Sequence, residues 1–351
     1  MQISDASTDA PALDASGLCG NQILPVRENR PNLYFVVDRS GSMSDPLEGS
    51  PYDKYESAQL AIRDVLLAVG HRVAYGAAVF PSFEGATGCE PGEEIYPTAP
   101  GDSVTYALAG EVGPNLDTFV HKLAAYAPYG NTPTSLTLEA LYDTLTSLSG
   151  DTSVVLATDG APNCNPEAQC GSDLCMADLG GWPVSSTVFC PLSISCCDPD
   201  GPYGPVSCVD VDASVAAVKA LADAGISTYV VGLPGSELFS EVLDNLAQAG
   251  GTARTGEVAY YRVEDSDALS ESLRSIATGI AISCTIDLSE APPDWNLVNV
   301  YFDGGVVPMN DDGWKRASND TLEIVGQSCE LLESGDVFQV QIAAGCPTVV
   351  K

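Results

Sequence analysis

The stretch that decides the fold is Leu33–Val37, LYFVV, followed at once by Asp38-Arg39-Ser40-Gly41-Ser42-Met43. Five consecutive apolar residues read as a strand buried on both faces, as in a parallel sheet covered by helices. The polar hexapeptide puts one carboxyl and two hydroxyl side chains at the carboxyl end of that strand. Working outward, Tyr55, Ala58, Ile62, Val65, Leu66 and Val69 stand at helical spacing, and Gly70 stops the helix. Val73–Phe80 reads as a second strand and Thr98–Leu108 as a weaker third. Leu116–Ala125 predicts a helix. After the loop Gly130-Asn131-Thr132-Pro133-Thr134 comes another, marked by Leu136, Ala140, Leu141, Leu145 and Leu148. Ser153–Ala157, SVVLA, is a further buried strand, ending in Thr158-Asp159-Gly160.

Residues 161–210 break this rhythm with seven cysteines, many Pro and Gly, and almost no periodicity. They have too few apolar residues for a core of their own and read as an insertion stapled by disulfides. The alternation then resumes. A helix carries Val215, Val218, Leu221 and Ala222, a strand spans Ile226–Leu233, and a helix carries Leu238, Val242, Leu246 and Ala249. A strand over Val258–Val263 and a helix carrying Leu269, Leu273, Ile276 and Ile280 complete it. Strands alternating with helices predict one doubly wound, mainly parallel α/β domain over residues 31–282. Residues 283–351 lack a helical period and read as a small β module. Residues 1–30, acidic and rich in Ser, Ala and Pro, read as a mobile tether.

The whole chain has 351 residues, with 48 Asp+Glu against 14 Lys+Arg and a net charge of −34. Phosphate recognition needs clustered Lys and Arg, so nucleic acid is excluded as a partner, as is a polybasic membrane surface. A hydrophobic fraction of 45% is ordinary for a globular protein and argues against disorder. Neither HExxH nor GxSxG occurs, and no catalytic set is visible, so the chain reads as a binding protein and not an enzyme. No run is long and apolar enough to span a membrane. Met1 is followed by no basic start and no apolar run, which predicts a processed, mature form.

Twelve cysteines, dense in one stretch, predict disulfides formed outside the cytoplasm. A zinc site is the weaker reading, because there is no CxxC pair and no His near the dense stretch. Counting extends the argument. Seven cysteines in the insertion need one partner from outside, and Cys89, in the loop leaving the second strand, is the best placed. The other four, Cys19, Cys284, Cys329 and Cys346, then form a second cluster tying the N-terminal segment and the β module to the domain base. Neighbours Cys196 and Cys197 should take different partners, since a bond between them is strained. The insertion would then form a rigid rim beside the strand ends.

In doubly wound sheets, ligands bind beyond the carboxyl ends of the strands. Asp38, Ser40, Ser42, Thr132 or Thr134, and Asp159 all fall at such places. Oxygen donors without His or Cys suit Mg²⁺, with Mn²⁺ or Ca²⁺ as further candidates. Five such side chains leave such an ion partly hydrated, with a position open to an external anion. Elsewhere the plainer readings hold. His71 and His121 read as exposed, Asp198, Asp200, Asp210 and Asp212 as solvated charge, and Trp182, Trp295 and Trp314 as packing residues.

DRSGSM at 38–43, GNTPT at 130–134 and TDG at 158–160, in that order at strand ends, resemble the metal-ion-dependent adhesion site of von Willebrand factor A domains. The resemblance covers residues 31–282. It implies a strand order of 3-2-1-4-5-6 and a divalent cation at Asp38, Ser40, Ser42, Thr132 and Asp159. Thr132 is preferred to Thr134 because, as in related domains, it stands two residues after the loop glycine. The resemblance also implies a partner protein whose acidic group completes the coordination. The chain is similar to secreted, cysteine-rich bacterial surface proteins of this family, lipoproteins among them, so a lipid anchor on an unprocessed form is an expectation. The alternative is a structural subunit of a surface assembly in which the domain is a scaffold.

Overall fold

The structure, a computed structural model, describes residues 2–3, 22–25, 30–82, 87–179, 183–185, 188–189, 195–198, 203–281, 283–333, 337 and 339–350. It divides into two compact units. One is Pro31–Ile276; the other joins Met1–Arg30 to Ala277–Lys351.

In the first unit the strands are β1 (Asn32–Asp38), β2 (Ala74–Phe80), β3 (Glu93–Pro100), β4 (Thr152–Thr158), β5 (Ser227–Gly232) and β6 (Tyr261–Arg262). They form one six-stranded sheet in the order β6-β5-β4-β1-β2-β3. That is the expected 3-2-1-4-5-6 order. All pairs are parallel except β2 with β3. Every residue of β1 and β2 is buried, as the apolar run of β1 required. Its longer helices are α1 (Lys54–Val69), α2 (Val104–Ala109), α3 (Pro114–Ala124), α4 (Thr134–Thr146), α5 (Val211–Asp223), α6 (Ser240–Ala249) and α7 (Ser266–Ala281), the last of which ends beyond Ile276.

Alternation along β1 splits the core in two. Tyr34 and Val36 join Leu138 and Leu141 of α4, Val218 and Leu221 of α5, and Leu243 and Leu246 of α6. Phe35 points the other way and meets Phe119 of α3 edge-on, with ring centroids 6.2 Å apart. Tyr75 and Tyr96 each pack against the same Phe119 at 5.2 Å. Burial on both faces is the reason these strands read as continuous hydrophobic runs.

Two elements differ from expectation. The third strand runs over Glu93–Pro100 and not Thr98–Leu108, where the chain instead forms α2. It is an antiparallel edge strand with only Ile95 and Tyr96 buried, and its charges and prolines belong to an edge. The sixth strand is confined to Tyr261–Arg262.

The described part of the insertion packs around sulfur. Cys175, Ala177, Cys196, Cys197 and Cys208 form a small buried cluster. Cys170 is bonded to Cys208 and Cys175 to Cys197, so Cys197 does pair away from its neighbour. The expected bond out of the insertion is Cys89–Cys164. Cys19, Cys190, Trp182 and Asp200 lie outside the described residues.

The second unit holds one antiparallel sheet and one mixed sheet, the latter including Gln2–Ile3 paired parallel to Gln339–Val340. One is a three-stranded sheet of β7 (Thr285–Asp287), β11 (Thr321–Ile324) and β10 (Trp314–Arg316), in that order. In the other, β12 (Gln339–Ala344) pairs with β8 (Val298–Phe302), which pairs with β9 (Gly305–Val307) through the turn at Asp303-Gly304. A helix, α8 (Gln327–Glu333), falls where only strands were expected. Trp314 is fully buried among Ile286, Leu322, Ile324 and Ile342. Cys284–Cys329 falls within the expected second group of cysteines, but it staples this unit internally, where the sequence pointed to a tie to the domain base. Gln22–Ile23, within the stretch read as a tether, pair with β12, and Leu24 is buried in the same core.

Candidate metal centre

Asp38 ends β1 fully buried. Its Oδ1 accepts a 2.7 Å hydrogen bond from the Ser40 backbone N–H, an Asx-type turn that carries the chain out of the sheet. Its Oδ2 accepts from Thr158 Oγ1 at 2.6 Å. Ser40 Oγ lies 3.2 Å from Ser42 Oγ, and Ser42 Oγ donates to Asp159 Oδ1 at 2.8 Å. Lys54 Nζ, at the start of α1, donates to the second oxygen of Asp159 at 2.7 Å. Four of the five expected residues, Asp38, Ser40, Ser42 and Asp159, are thus joined in one continuous polar cluster.

Thr132 comes to this cluster through its loop. The Gly41 N–H donates to Gly130 O at 3.0 Å, tying the Thr132 loop to the serine loop. Gly88 and Gly130 pass so closely that a Cβ on Gly88 would lie 2.7 Å from Gly130 Cα. Asn163 holds Thr132 itself from the other side: Asn163 N–H donates to Thr132 O, and Thr132 N–H to Asn163 Oδ1, both at 2.9 Å. Thr134 is also buried, and its Oγ1 has no hydrogen-bond partner among the described residues.

The electrostatics favour a cation. Burial and the nearby Asp159 carboxylate push Asp38 up to about 7, against the hydrogen bonds from Thr158 and Ser40 that pull it down. A divalent ion would reverse that by favouring the ionised form. The spacing also fits. An octahedron of oxygens around Mg²⁺ has edges of about 2.9 Å, close to the 2.8 and 3.2 Å separations at Ser42. Hydroxyl and carboxylate donors in this number suit a hard cation. Among the described residues, the one cluster of potential metal-ligating His, Cys, Asp or Glu side chains is Cys170, Cys197 and Cys208, and all three are in disulfides.

A parallel-centred sheet in the order 3-2-1-4-5-6, with the DxSxS, GNTPT and TDG loops drawn together at one edge, decides the fold. The first unit has a von Willebrand factor A-like fold. No protein-family profile and no curated protein sequence matches the chain. Solved structures do resemble it. The pilus adhesin SpaC from Lactobacillus rhamnosus GG has a TM-score of 0.48 and 14% identity over 90% of this chain and 40% of that one. The vWF domain of the type V pili tip protein Mfa5 from Porphyromonas gingivalis gives 0.45 and 12%, covering 74% and 97%. Manganese-loaded Plasmodium vivax TRAP gives 0.40 and 15%, covering 70% and 74%. The chain thus spans 40% of the length of the SpaC adhesin it matches.

Two residues beside this candidate centre, Lys54 and Asn163, had no signal in the sequence. Lys54 lies in the first turn of α1 and Asn163 in the insertion, and neither belongs to the three motifs; Thr158 opens the TDG motif, but its bond to Asp38 depends on the fold. Asp210, read as solvated charge, is buried and accepts from Ser135 Oγ at 2.5 Å and Asn165 Nδ2 at 2.9 Å. His121 is exposed as expected, whereas His71 is half-buried and accepts from Arg72 Nε at 3.1 Å.

Proposed function

We propose that the protein is an extracytoplasmic, metal-dependent adhesion module. Asp38, Ser40, Ser42, Thr132 and Asp159 hold one divalent cation, Mg²⁺ in the first instance, and an acidic group of a partner protein or surface ligand completes its coordination. The carrying observation is the pair of buried carboxylates, Asp38 and Asp159, linked at the strand ends through the Ser40 backbone N–H and the hydroxyls of Ser40 and Ser42. Oxidised cysteines support a location outside the cytoplasm. When bound, the ion supplies a fixed positive charge with room for an anion. The chain's own residues orient it and keep the remaining carboxylate oxygens occupied.

Calorimetry with Mg²⁺ and Mn²⁺ tests the reading. One site per chain is expected, and Asp38→Ala removes it. Equal metal uptake by that variant would overturn the assignment. For the partner step, a carboxylate-bearing ligand should bind the Mn²⁺-loaded chain and be released by EDTA with the fold intact. Metal binding that only raises the melting temperature, with no carboxylate bound, would favour the scaffold role.

A further inference from the structure

Lys54 is a buried cation placed where the metal reading needs a free carboxylate. It is 5% exposed and lies at the first position of α1, a helix of 16 residues. That end of a helix carries partial positive charge and disfavours a lysine. Helix formation therefore does not explain the residue. Its contacts do. Nζ lies 2.7 Å from Asp159 Oδ2, 3.5 Å from Ser42 O and 3.7 Å from Asp45 Oδ2. Asp159 and Ser42 belong to the proposed ligand set, and Asp45 stands just beyond it with its side chain 68% exposed.

We infer that Lys54 is a tethered counter-cation that competes with the divalent ion for Asp159 and so sets the affinity of the site. The inference rests on the proposed metal reading and deepens it. Two buried carboxylates without a cation repel each other, and a buried charge left unpaired is costly. The ammonium satisfies Asp159 when no ion is bound. An incoming ion must share that carboxylate with Lys54 or send the ammonium toward Asp45, which is already within 3.7 Å and reaches solvent. Either course costs binding free energy. With Lys54 kept in place, the loaded site carries a net positive charge and draws an anion more strongly than two carboxylates and an ion alone.

The test compares the full oxidised chain with K54M and K54R, using Mn²⁺ alone as probe. Calorimetry should show K54M binding Mn²⁺ tighter by about tenfold or more, because a like charge a few ångströms away is removed. K54R, which keeps the charge, should stay near wild type. In EDTA, K54M should melt below wild type, and Mn²⁺ should raise its melting temperature by more. If K54M folds only with Mn²⁺ present, chelator competition gives its affinity, and tighter binding still supports the inference. K54M binding Mn²⁺ no tighter than wild type, with wild type itself binding one ion, overturns the competition alone. If wild type takes up no ion, the metal reading falls and this inference falls with it.

Discussion

Asn163 grips both backbone polar groups of Thr132, giving its own N–H to Thr132 O and receiving Thr132 N–H on Oδ1, each at 2.9 Å. Both residues are buried. A residue of the cysteine-rich segment thus fixes the loop that presents the hydroxyl of the proposed fifth ligand. Asn163→Ala leaves the Thr132 N–H buried without its acceptor, at a cost of about 1–3 kcal/mol. It also frees the loop, and removal of such supporting contacts weakens metal affinity by about 10- to 100-fold. Chemical denaturation and Mn²⁺ calorimetry on one preparation read both effects. A stability loss with unchanged Mn²⁺ affinity would show that the grip does not position Thr132.

The Cys89–Cys164 bond adds a covalent link to the same arrangement. Cys164 follows Asn163, and Cys89 follows Gly88, whose carbonyl accepts from Asn131 N–H at 2.8 Å. The bond closes a separation of 75 residues. Restriction of the unfolded chain by a loop of that size stabilises by up to about 4 kcal/mol. The double variant Cys89→Ala, Cys164→Ala should therefore lose several kcal/mol, and its Mn²⁺ affinity should fall as the two sides of the Thr132 loop loosen. Denaturant midpoints and calorimetry check both.

The central sheet was legible because its strands are buried on both faces. LYFVV and the Val154–Ala157 run have no charged or strongly polar position to blur them, and the glycines after the helices fall at real ends. The edge strand was misplaced because Glu93, Glu94 and Pro97 belong to an exposed edge, where apolar patterning fails. At the centre, what could be read were side chains at strand ends in a known order. What could not be read came from distant segments whose contacts depend on the fold: Lys54 lies 105 positions from Asp159, and Asn163 31 from Thr132. The bond out of the insertion yielded to counting, since an odd number of cysteines needs an outside partner. The same count set Cys284 and Cys329 in one group of four, but not their pairing within a single unit.

Asp38 provides a direct check on the ion. In Asp38→Asn the carboxylate charge is gone while the shape is kept. Wild type at a Mn²⁺ concentration of 100 times its Kd should gain about 2.7 kcal/mol from ligation. Asp38→Asn should gain little or nothing. Thermal melts of both proteins in EDTA and in excess Mn²⁺ measure the difference, and an equal gain in the variant would remove Asp38 from the ligand set.

In the second unit, Trp314 is the largest fully buried side chain. It lies 6.2 Å from Trp295, whose ring is covered by Arg316 at 5.3 Å. Truncating a buried tryptophan leaves a cavity and costs about 3–5 kcal/mol. Trp314→Ala should therefore destabilise this unit by that amount, followed by Trp295 fluorescence during denaturation. Trp314→Phe, which keeps an aromatic ring, should lose less.

Asp210 tests how the insertion is anchored. It is the last residue before α5, and its carboxylate faces the first turn of α4, which follows the Thr132 loop. One oxygen accepts from Ser135 Oγ and the other from Asn165 Nδ2, and its own N–H donates to Pro162 O. Asp210→Ala leaves two polar side chains with no acceptor, one of them fully buried, and should cost about 3 kcal/mol. Asp210→Asn keeps one acceptor oxygen. The rotatable hydroxyl of Ser135 can accept from the new amide while Asn165 keeps its bond. That variant should lose about half as much. Urea denaturation of the two variants decides the point. Equal losses would mean that the negative charge itself, and not the pair of hydrogen bonds, holds the insertion to α4.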